Sequence, residues 1–231
     1  MYATIVPVAD AAAEPAVRGF LHVPETRTGD GLVLTHGAGG NCGSKLLVSL
    51  AEAFAAAGMA VMRCDLPFRQ ARLTGPPFPG SAARDREGLH RALDVLRAQS
   101  SGRLFVGGHS YGGRQASMLL AEQPALAEGL LLLSYPLHPP RKSQQLRTAH
   151  LPQLTRPVLF VHGSRDGFGS FEEMENALAA IPGPTRMLKV AAAGHELITR
   201  RNEDALSKQI VKEFLDFVGT SAPKVSRSGS G

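Results

Sequence analysis

The sequence has few cysteines and no long apolar run, and each shortage excludes a class of protein. Cys42 and Cys64 form no CxxC pair and no disulfide framework, so we expect two reduced, packed thiols in a cytoplasmic protein. No apolar run approaches the roughly 20 residues that cross a bilayer. The first residues, MYATIVPVADAAAEP, also lack the positive start and apolar core of a secretory signal. The sequence therefore predicts no membrane partner.

Aromatic residues are also scarce, at 6% of the chain with no tryptophan, which argues against a stacking platform for nucleic-acid bases. A formal charge of +5 and a pI near 9.6 could favour anionic partners. The positive charges are, however, scattered among acids, and only the tail APKVSRSGSG is basic without acids nearby. We therefore expect no nucleic-acid partner, and we interpret residues 220–231 as a flexible, basic Ser/Gly-rich tail.

Short apolar runs alternate with amphipathic segments along the 231 residues, which is the pattern of an α/β fold. Strands are predicted at 17–24, 31–37, 59–67, 103–108, 128–137, 156–164 and 186–193. Helices are predicted at 44–58, 81–99, 111–123, 171–181 and 203–218, with an irregular Pro/Gly-rich loop at 68–80. Strands apolar on both faces, each followed by a helix, predict one domain over residues 1–219. Its central sheet should be mostly parallel, with helices on both faces and ligands at the carboxyl ends of the strands.

The segment GGHSYGG at 107–113 contains a serine that either reacts or merely lies in a turn. Ser110 follows a predicted buried strand and precedes a predicted helix, with Gly108 and Gly112 two residues to either side. A nucleophile on so sharp a turn needs small flanking residues, because larger side chains would collide there. The helix N-terminus also directs amide groups toward whatever binds. We predict that Ser110 is a nucleophile; the alternative is an inert serine in a glycine-rich turn.

A serine hydroxyl is a weak nucleophile unless a base takes its proton and an acid orients that base. Asp166 lies just beyond the predicted strand at 156–164, and His195 just beyond the last predicted strand. The order Ser110, Asp166, His195 is that of the α/β-hydrolase arrangement and differs from two familiar protease orders. We predict a Ser-His-Asp triad, against the alternatives of a turn or capping aspartate and a surface loop histidine.

Acyl transfer also needs hydrogen-bond donors for the negative oxygen of the tetrahedral intermediate, the group known as an oxyanion hole. One predicted donor is the backbone N–H of Tyr111, the residue after the nucleophile. The second should come from THGAGGNCGS at 35–44, whose glycines let the backbone approach a ligand closely. We favour the N–H of Ala38, with that of Gly39 as the alternative.

Two other interpretations of this glycine-rich loop fit less well. Gly37, Gly39 and Gly43, with Asp65 after the next strand, resemble a dinucleotide-binding fingerprint, but that function would leave the triad unexplained. The YxxxK pair of short-chain dehydrogenases is also absent. A phosphate loop fails because GGNCGSK has a serine where the lysine should stand. The eight histidines show no HExxH and no pair at helical spacing, so we predict neither a metal nor a cofactor.

Strand-end segments should also supply the walls of the pocket, and we predict substrate contacts from Arg69, Tyr135 and His138. The interval 137–156 is too short for a cap domain, so the site should be open. Arg69 would belong to an anion-binding rim for a substrate carboxylate or phosphate, because a guanidinium binds carboxylate with two hydrogen bonds. The alternative is a solvated surface cluster, since long cationic side chains usually reach water.

Five segments together resemble the small α/β-hydrolases related to dienelactone hydrolase: LTHGAGG, GGHSYGGR, LSYPLHPP, FVHGSRDGFGS and AAGHE. They look most similar to a lidless bacterial branch akin to the hydrolase-like domains of some eukaryotic regulatory proteins. The resemblance covers roughly 17–218 and implies Ser110 as nucleophile, Asp166 as acid and His195 as base. Dienelactone hydrolase itself uses a cysteine nucleophile, so its substrate is not implied.

The residues and the resemblance lead to one expected activity and one alternative. We expect a cytoplasmic serine hydrolase that cleaves an ester or thioester of a small acyl substrate through an acyl-enzyme. The alternative is a catalytically idle domain of the same fold that acts as a binding or scaffold module. An active serine should react with a fluorophosphonate probe, whereas an idle one should not.

Overall fold

Eight strands form the sheet at the centre of the protein, in the spatial order β1-β2-β4-β3-β5-β6-β7-β8. The computed structural model describes residues 3–199 and 201–221, so most of the tail predicted at 220–231 lies outside the described residues. The strands are β1 (Thr4–Asp10), β2 (Val17–Val23), β3 (Gly31–Thr35), β4 (Ala60–Cys64), β5 (Leu104–His109), β6 (Leu130–Leu133), β7 (Val158–Gly163) and β8 (Thr185–Val190).

The sheet is mostly parallel, as the sequence predicts. Strands β3 to β8 pair in parallel with their neighbours, whereas β2 pairs antiparallel with both β1 and β4. Every residue of β3 to β7 is buried, because helices cover both faces of the sheet there. The carboxyl ends of these five strands therefore meet along one edge of the sheet.

In the residues that the structure describes, six helices cover the two faces of this sheet: α1 (Lys45–Ala56), α2 (Pro67–Ala71), α3 (Ala82–Arg97), α4 (Ser110–Glu122), α5 (Phe171–Leu178) and α6 (Glu203–Thr220). Buried side chains of α1 and α6 pack with one face in a single apolar cluster. Those of α2, α3, α4 and α5 pack with the other face in a second cluster. In the described part of the chain, no helix is both long and apolar enough to cross a membrane.

Every predicted strand and helix has an observed counterpart, but three details of the prediction are wrong. Strand β1 was not expected, because this edge strand is exposed along most of its length and carries Pro7 instead of an apolar alternation. Residues 68–80 are not wholly irregular, since α2 occupies their start. Five residues are too few to reveal helical periodicity, although Pro67 stands at its first position. Strand β6 ends early, at Leu133, because Ser134 adopts a left-handed φ of 48°.

Candidate active site

Strand β5 passes directly into α4 at Ser110, and this sharp turn holds the serine at the carboxyl edge of the sheet. Ser110 has a φ of 51°, in the left-handed region that a non-glycine residue rarely adopts. A Cβ on Gly108 would lie 2.6 Å from the carbonyl oxygen of Thr35, and one on Gly112 would lie 2.5 Å from that of His36. Both positions therefore require glycine, which is the steric condition expected of a nucleophile turn.

His195, in the loop after β8, reaches the serine hydroxyl. Its Nε2 lies 2.8 Å from Oγ of Ser110, and its Nδ1 lies 2.9 and 3.0 Å from the two carboxylate oxygens of Asp166. Because a carboxylate can only accept, Nδ1 carries the proton and Nε2 is free to accept the proton of Ser110. The structure thus brings together three residues that lie 29 and 85 positions apart in the chain.

Asp166 follows β7 and its side chain is fully buried, whereas that of His195 is 21% exposed. Burial by itself would raise the pKa of Asp166. Hydrogen bonds from His195 and from the backbone N–H of Phe168, at 2.9 Å, outweigh it and hold this pKa below its ordinary value. The carboxylate therefore stays charged and can orient and stabilise a protonated His195.

Two neighbours fix the partly exposed ring of His195. Phe168 stacks on it with ring centroids 4.3 Å apart, and Nε2 of His109 donates to its backbone oxygen at 2.8 Å. Burial lowers the pKa of His109, so this neighbour adds no positive charge next to the base. The sequence reasoning missed both residues, although His109 lies inside the GGHSYGG segment and Phe168 two positions after Asp166.

The loop after β3 forms a tight turn beside Ser110. The N–H of Gly40 donates to the oxygen of Gly37 at 3.1 Å, which makes Ala38 and Gly39 the central residues of the turn. A Cβ on Gly37 would lie 3.3 Å from Cβ of Ser110, so the turn approaches the serine closely. Among the hydrogen bonds of the described residues, none uses the N–H of Ala38 or Gly39 as a donor. The N–H of Ala38, the favoured second donor, and that of Gly39, the alternative, therefore both lack a partner among the described residues, and the choice between them stays open.

His36 holds the base of this turn. Its Nδ1 donates to the oxygen of Gly37 at 2.8 Å, and its Nε2 accepts from the N–H of Leu66 at 3.1 Å. The ring is fully buried, and burial lowers its pKa, which keeps it neutral with one nitrogen as donor and the other as acceptor. His36 thereby joins the end of β3 to the end of β4, a role that its position in the THG segment did not reveal.

Tyr111, the residue after the nucleophile, carries the other predicted oxyanion donor at the start of α4. Its hydroxyl donates to Asp85 at 2.7 Å, and burial raises the pKa of this hydroxyl. Asp85, fully buried on α3, also accepts from the N–H of Phe68 at 3.0 Å. Since the side chain of Tyr111 is engaged in this way, the predicted contribution of this residue to the oxyanion hole is left to its backbone N–H, and it stays a prediction. No sequence signal distinguishes Asp85 from other helix aspartates.

The structure does not place Arg69 at an exposed rim. Only 2% of the residue is exposed, and its guanidinium donates to four backbone oxygens: Ala38, Gly40, Arg72 and Gly75. Two of these oxygens belong to the turn after β3. The assignment of Arg69 to substrate binding stays a prediction, and these contacts favour the role of holding the loops together instead.

Tyr135 and His138 also lie inside the protein. Tyr135 is 1% exposed and its hydroxyl donates to the oxygen of Arg147 at 2.5 Å. His138 is 6% exposed, with Nδ1 2.9 Å from the oxygen of Pro139 and Nε2 3.4 Å from Glu173. Their predicted substrate contacts stay untested, and both polar groups already have partners within the chain.

The residues that suggested a rival chemistry are engaged elsewhere. Asp65 accepts from the N–H of Cys42 at 2.7 Å and pairs with Arg18 at 3.0 Å. Burial raises the pKa of the Cys42 thiol to about 12, so this cysteine is a packing residue at neutral pH. Within the described ranges, no group of three or more His, Cys, Asp or Glu is placed to hold a metal ion.

This chain matches one family of known proteins and is similar in fold to several solved structures. The model of the alpha/beta hydrolase domain family matches residues 29–221. The dienelactone hydrolase of Anabaena variabilis ATCC 29413 has 20% identity and a TM-score of 0.73, over 94% of this chain and 99% of that one. XC6422 from Xanthomonas campestris, an α/β serine hydrolase without a lid, has 14% identity and a TM-score of 0.69, over 94% of each chain. Est1E from Butyrivibrio proteoclasticus, with ferulic acid bound, has 16% identity and a TM-score of 0.71, over 88% and 96%. At such identities, these structures support the fold alone.

Proposed function

The chain belongs to the α/β-hydrolase domain family, and we propose that it is a serine hydrolase that cleaves small acyl esters or thioesters through an acyl-enzyme. The observation that carries this proposal is the continuous hydrogen-bonded line from Ser110 through His195 to Asp166. A polar line of this kind at the carboxyl edge of a parallel sheet, beside free backbone donors, is suited to acyl transfer.

In the first step, Oγ of Ser110 attacks the carbonyl carbon of the substrate while Nε2 of His195 takes the hydroxyl proton. The new C–O bond places negative charge on the former carbonyl oxygen. The N–H of Tyr111 and that of Ala38 or Gly39 stabilise this charge, since backbone donors there need no reorganisation during the reaction. Asp166 balances the positive charge that His195 gains.

In the second step, the tetrahedral intermediate collapses and the bond to the leaving group breaks. His195 returns its proton to the leaving alkoxide or thiolate, which departs as the alcohol or thiol, and the acyl group stays on Ser110. Water then attacks the ester of the acyl-enzyme, with His195 again acting as base and then as acid. The carboxylic acid leaves and the serine hydroxyl is restored.

An open site fits small or protruding esters better than buried lipid chains. Between β6 and β7, the described chain holds only a 3-10 turn at Leu151–Gln153 and no helical cap. A similar structure binds ferulic acid, and another is a dienelactone hydrolase. We therefore place feruloyl and other aromatic esters, short-chain esters and simple lactones in the candidate substrate class, with thioesters as the alternative leaving-group class.

The test is a pre-steady-state assay with p-nitrophenyl acetate, a feruloyl ester and a matched thioester. We expect a burst of the first product equal to the enzyme concentration and an acyl adduct on Ser110 by intact-protein mass spectrometry. Ser110→Ala, checked for folding by circular dichroism, should give neither. If the wild type gives no burst and no adduct with any of the three, the idle binding or scaffold domain becomes the better account.

A further inference from the structure

We propose that the N–H of Gly39 supplies the second oxyanion donor, and that Arg69 is its positioning residue, acting by fixing the direction of the Ala38–Gly39 peptide. This inference rests on the proposed function. It comes from an unusual arrangement: a buried arginine whose cationic head donates only to backbone oxygens on both sides of it.

Placing the guanidinium of Arg69 inside the protein has a cost in free energy. Arg69 is 2% exposed and forms no ion pair with a carboxylate among the described residues. A buried cation without an acid partner loses its hydration and gains no opposite charge in return. Four carbonyl dipoles must compensate for that loss. Apolar side chains could hold the loop without this desolvation penalty, so stability alone does not account for a buried guanidinium at this position.

The guanidinium of Arg69 controls the peptide between Ala38 and Gly39. Nη2 of Arg69 donates to the oxygen of Ala38 at 2.7 Å, and Nε donates to that of Gly40 at 2.7 Å. In a trans peptide the N–H points opposite to the preceding carbonyl. By binding the oxygen of Ala38, Arg69 therefore sets the direction in which the N–H of Gly39 points.

Without Arg69, the central peptide of this turn could reverse its direction. Ala38 and Gly39 are the central residues of the turn, and their shared peptide is the one that reverses between type I and type II turns. Gly39 is not among the residues with positive φ, so the turn is not of type II. Glycine could nevertheless adopt that form at no steric cost. Arg69 holds the carbonyl in one orientation and thereby prevents a reversal that would turn the donor away.

Phe68 connects this turn to Tyr111, the other residue predicted to supply an oxyanion donor. The Arg69 guanidinium lies over the ring of Phe68, 4.9 Å from its centroid. Phe68 packs edge-on against Tyr111 at 5.7 Å and tilted against His36 at 5.6 Å. Helix α2, which carries Phe68 and Arg69, thus contacts both the turn after β3 and Tyr111, the residue predicted to supply the other donor.

A charge-assisted hydrogen bond to a carbonyl also polarises the peptide it belongs to, which makes its N–H a stronger donor. Arg69 therefore acts on the transition state through Gly39 in two ways, by direction and by donor strength. Lysine would keep the positive charge but cannot present a planar fork to several oxygens at once. Arg69→Lys should recover only part of the function.

The experiment compares wild type with Arg69→Met, Arg69→Lys and the matched control Arg84→Met. Arg84 is a suitable control because it is 62% exposed and pairs with Glu14 on the surface. Removal of a whole oxyanion donor costs about 10²–10³ in kcat, so we expect Arg69→Met to lose roughly 10- to 100-fold in kcat. KM should change little, and inhibition by a trifluoromethyl ketone should weaken in proportion to kcat. Arg84→Met should match wild type.

Two further readouts separate positioning from folding and from the proposed function. Guanidinium ion, added far below denaturing concentrations to Arg69→Ala, should restore part of kcat. The amide resonances of Ala38 and Gly39 should shift or broaden in Arg69→Met, while those of β5 and β7 stay in place. The amide readout does not depend on turnover, so it decides the proposal even if no ester is hydrolysed. An unchanged turn in Arg69→Met, or a full kcat in its folded fraction, would overturn the proposal.

Discussion

Two groups of residues lie on either side of Ser110, an acid–base flank and an oxyanion flank, and they differ in their chemistry. On the acid–base flank, the loops after β7 and β8 supply Asp166 and His195, an ion pair whose base is 21% exposed. On the oxyanion flank, the loop after β3 offers backbone N–H groups, and the buried side chains of His36 and Arg69 hold this loop. One flank must move a proton and the other must present fixed dipoles, so only the first needs side chains that contact the substrate.

This difference explains where each flank keeps its charge. Asp166 balances a positive charge that appears on His195 only during the reaction. The guanidinium of Arg69 instead binds the oxygens of Ala38 and Gly40 at 2.7 Å in the resting protein. An acid next to Arg69 would compete with those oxygens for the guanidinium. The carbonyl-only environment is therefore what allows the charge to polarise the turn.

The largest effect is expected from Ser110→Ala, which removes the attacking oxygen and with it the acyl-enzyme. We expect hydrolysis to fall by on the order of a millionfold, leaving a residual rate from binding and the oxyanion flank alone. Ester hydrolysis by the purified variant, with circular dichroism as the control for folding, checks this. A folded variant that keeps more than a small fraction of turnover would contradict the nucleophile assignment.

Breaking only the acid–base flank should cost less. Asp166→Asn removes the negative charge and places an amide next to Nδ1 of His195, which favours the wrong tautomer. A loss of about 10⁴ in kcat is the expectation for such a change. Asp204→Asn, an 82% exposed control that pairs with Lys208 on α6, should leave kcat unchanged. Equal rates for the two variants would mean that Asp166 does not orient the base.

Tyr111→Phe sharpens the comparison, because Tyr111 should act in catalysis through its backbone alone. The substitution removes the 2.7 Å bond to the buried Asp85. We expect the free energy of unfolding to fall by about 1–3 kcal/mol, as when a buried polar group loses a hydrogen-bond partner. We expect kcat to change by less than about threefold, which is under 1 kcal/mol of activation free energy. Urea unfolding and steady-state kinetics test the two parts, and a large loss in kcat with unchanged stability would contradict them.

The smallest expected effect is on the pH dependence of stability, in which the two flanks should respond in different pH ranges. Burial lowers the pKa of His36, so below its ordinary value of about 6.5 the unfolded chain takes up a proton that the native ring rejects. Stability on the oxyanion flank should therefore fall as the pH drops from about 6.5 toward that lowered pKa. The lowered pKa of Asp166 acts in the same direction in a lower pH window: its stabilisation is present above about pH 3.9 and is lost as the pH falls through the folded value.

Unfolding measured between pH 7 and 3 tests both windows. His36→Asn should reduce the slope of stability against pH below 6.5, by at most about 1.4 kcal/mol per pH unit for one proton. Asp166→Asn should leave that slope unchanged and remove only the loss below about pH 4. Identical slopes for wild type and His36→Asn would show that His36 is not a proton-rejecting group.

The two flanks also differ in what the sequence could predict. Ser110, Asp166 and His195 were predicted because each is a reactive residue type at the end of a buried strand, in a characteristic chain order. The sheet was predicted because its central strands are apolar on both faces. The structure brings these three side chains into hydrogen-bonding distance, as that prediction requires.

The oxyanion flank was harder because its working groups are backbone atoms, which every residue possesses. Whether the N–H of Gly39 can serve as a donor depends on the direction of the Ala38–Gly39 peptide. That direction depends on Arg69, which lies 31 positions later and on a helix too short to leave a periodic pattern. An arginine in a Pro/Gly-rich segment is expected to lie at the surface, because long cationic side chains usually reach water. Only the packing of α2 beneath the turn reveals that Arg69 is buried.

The most direct test of the central claim is the rate at which a fluorophosphonate labels Ser110, followed by intact-protein mass spectrometry. The account predicts one adduct per wild-type chain on Ser110 and none on Ser110→Ala. It also predicts that labelling slows by orders of magnitude in His195→Ala, because Oγ then loses its base. No adduct on the folded wild type, or labelling of His195→Ala at the wild-type rate, would contradict the claim that Ser110 is an activated nucleophile.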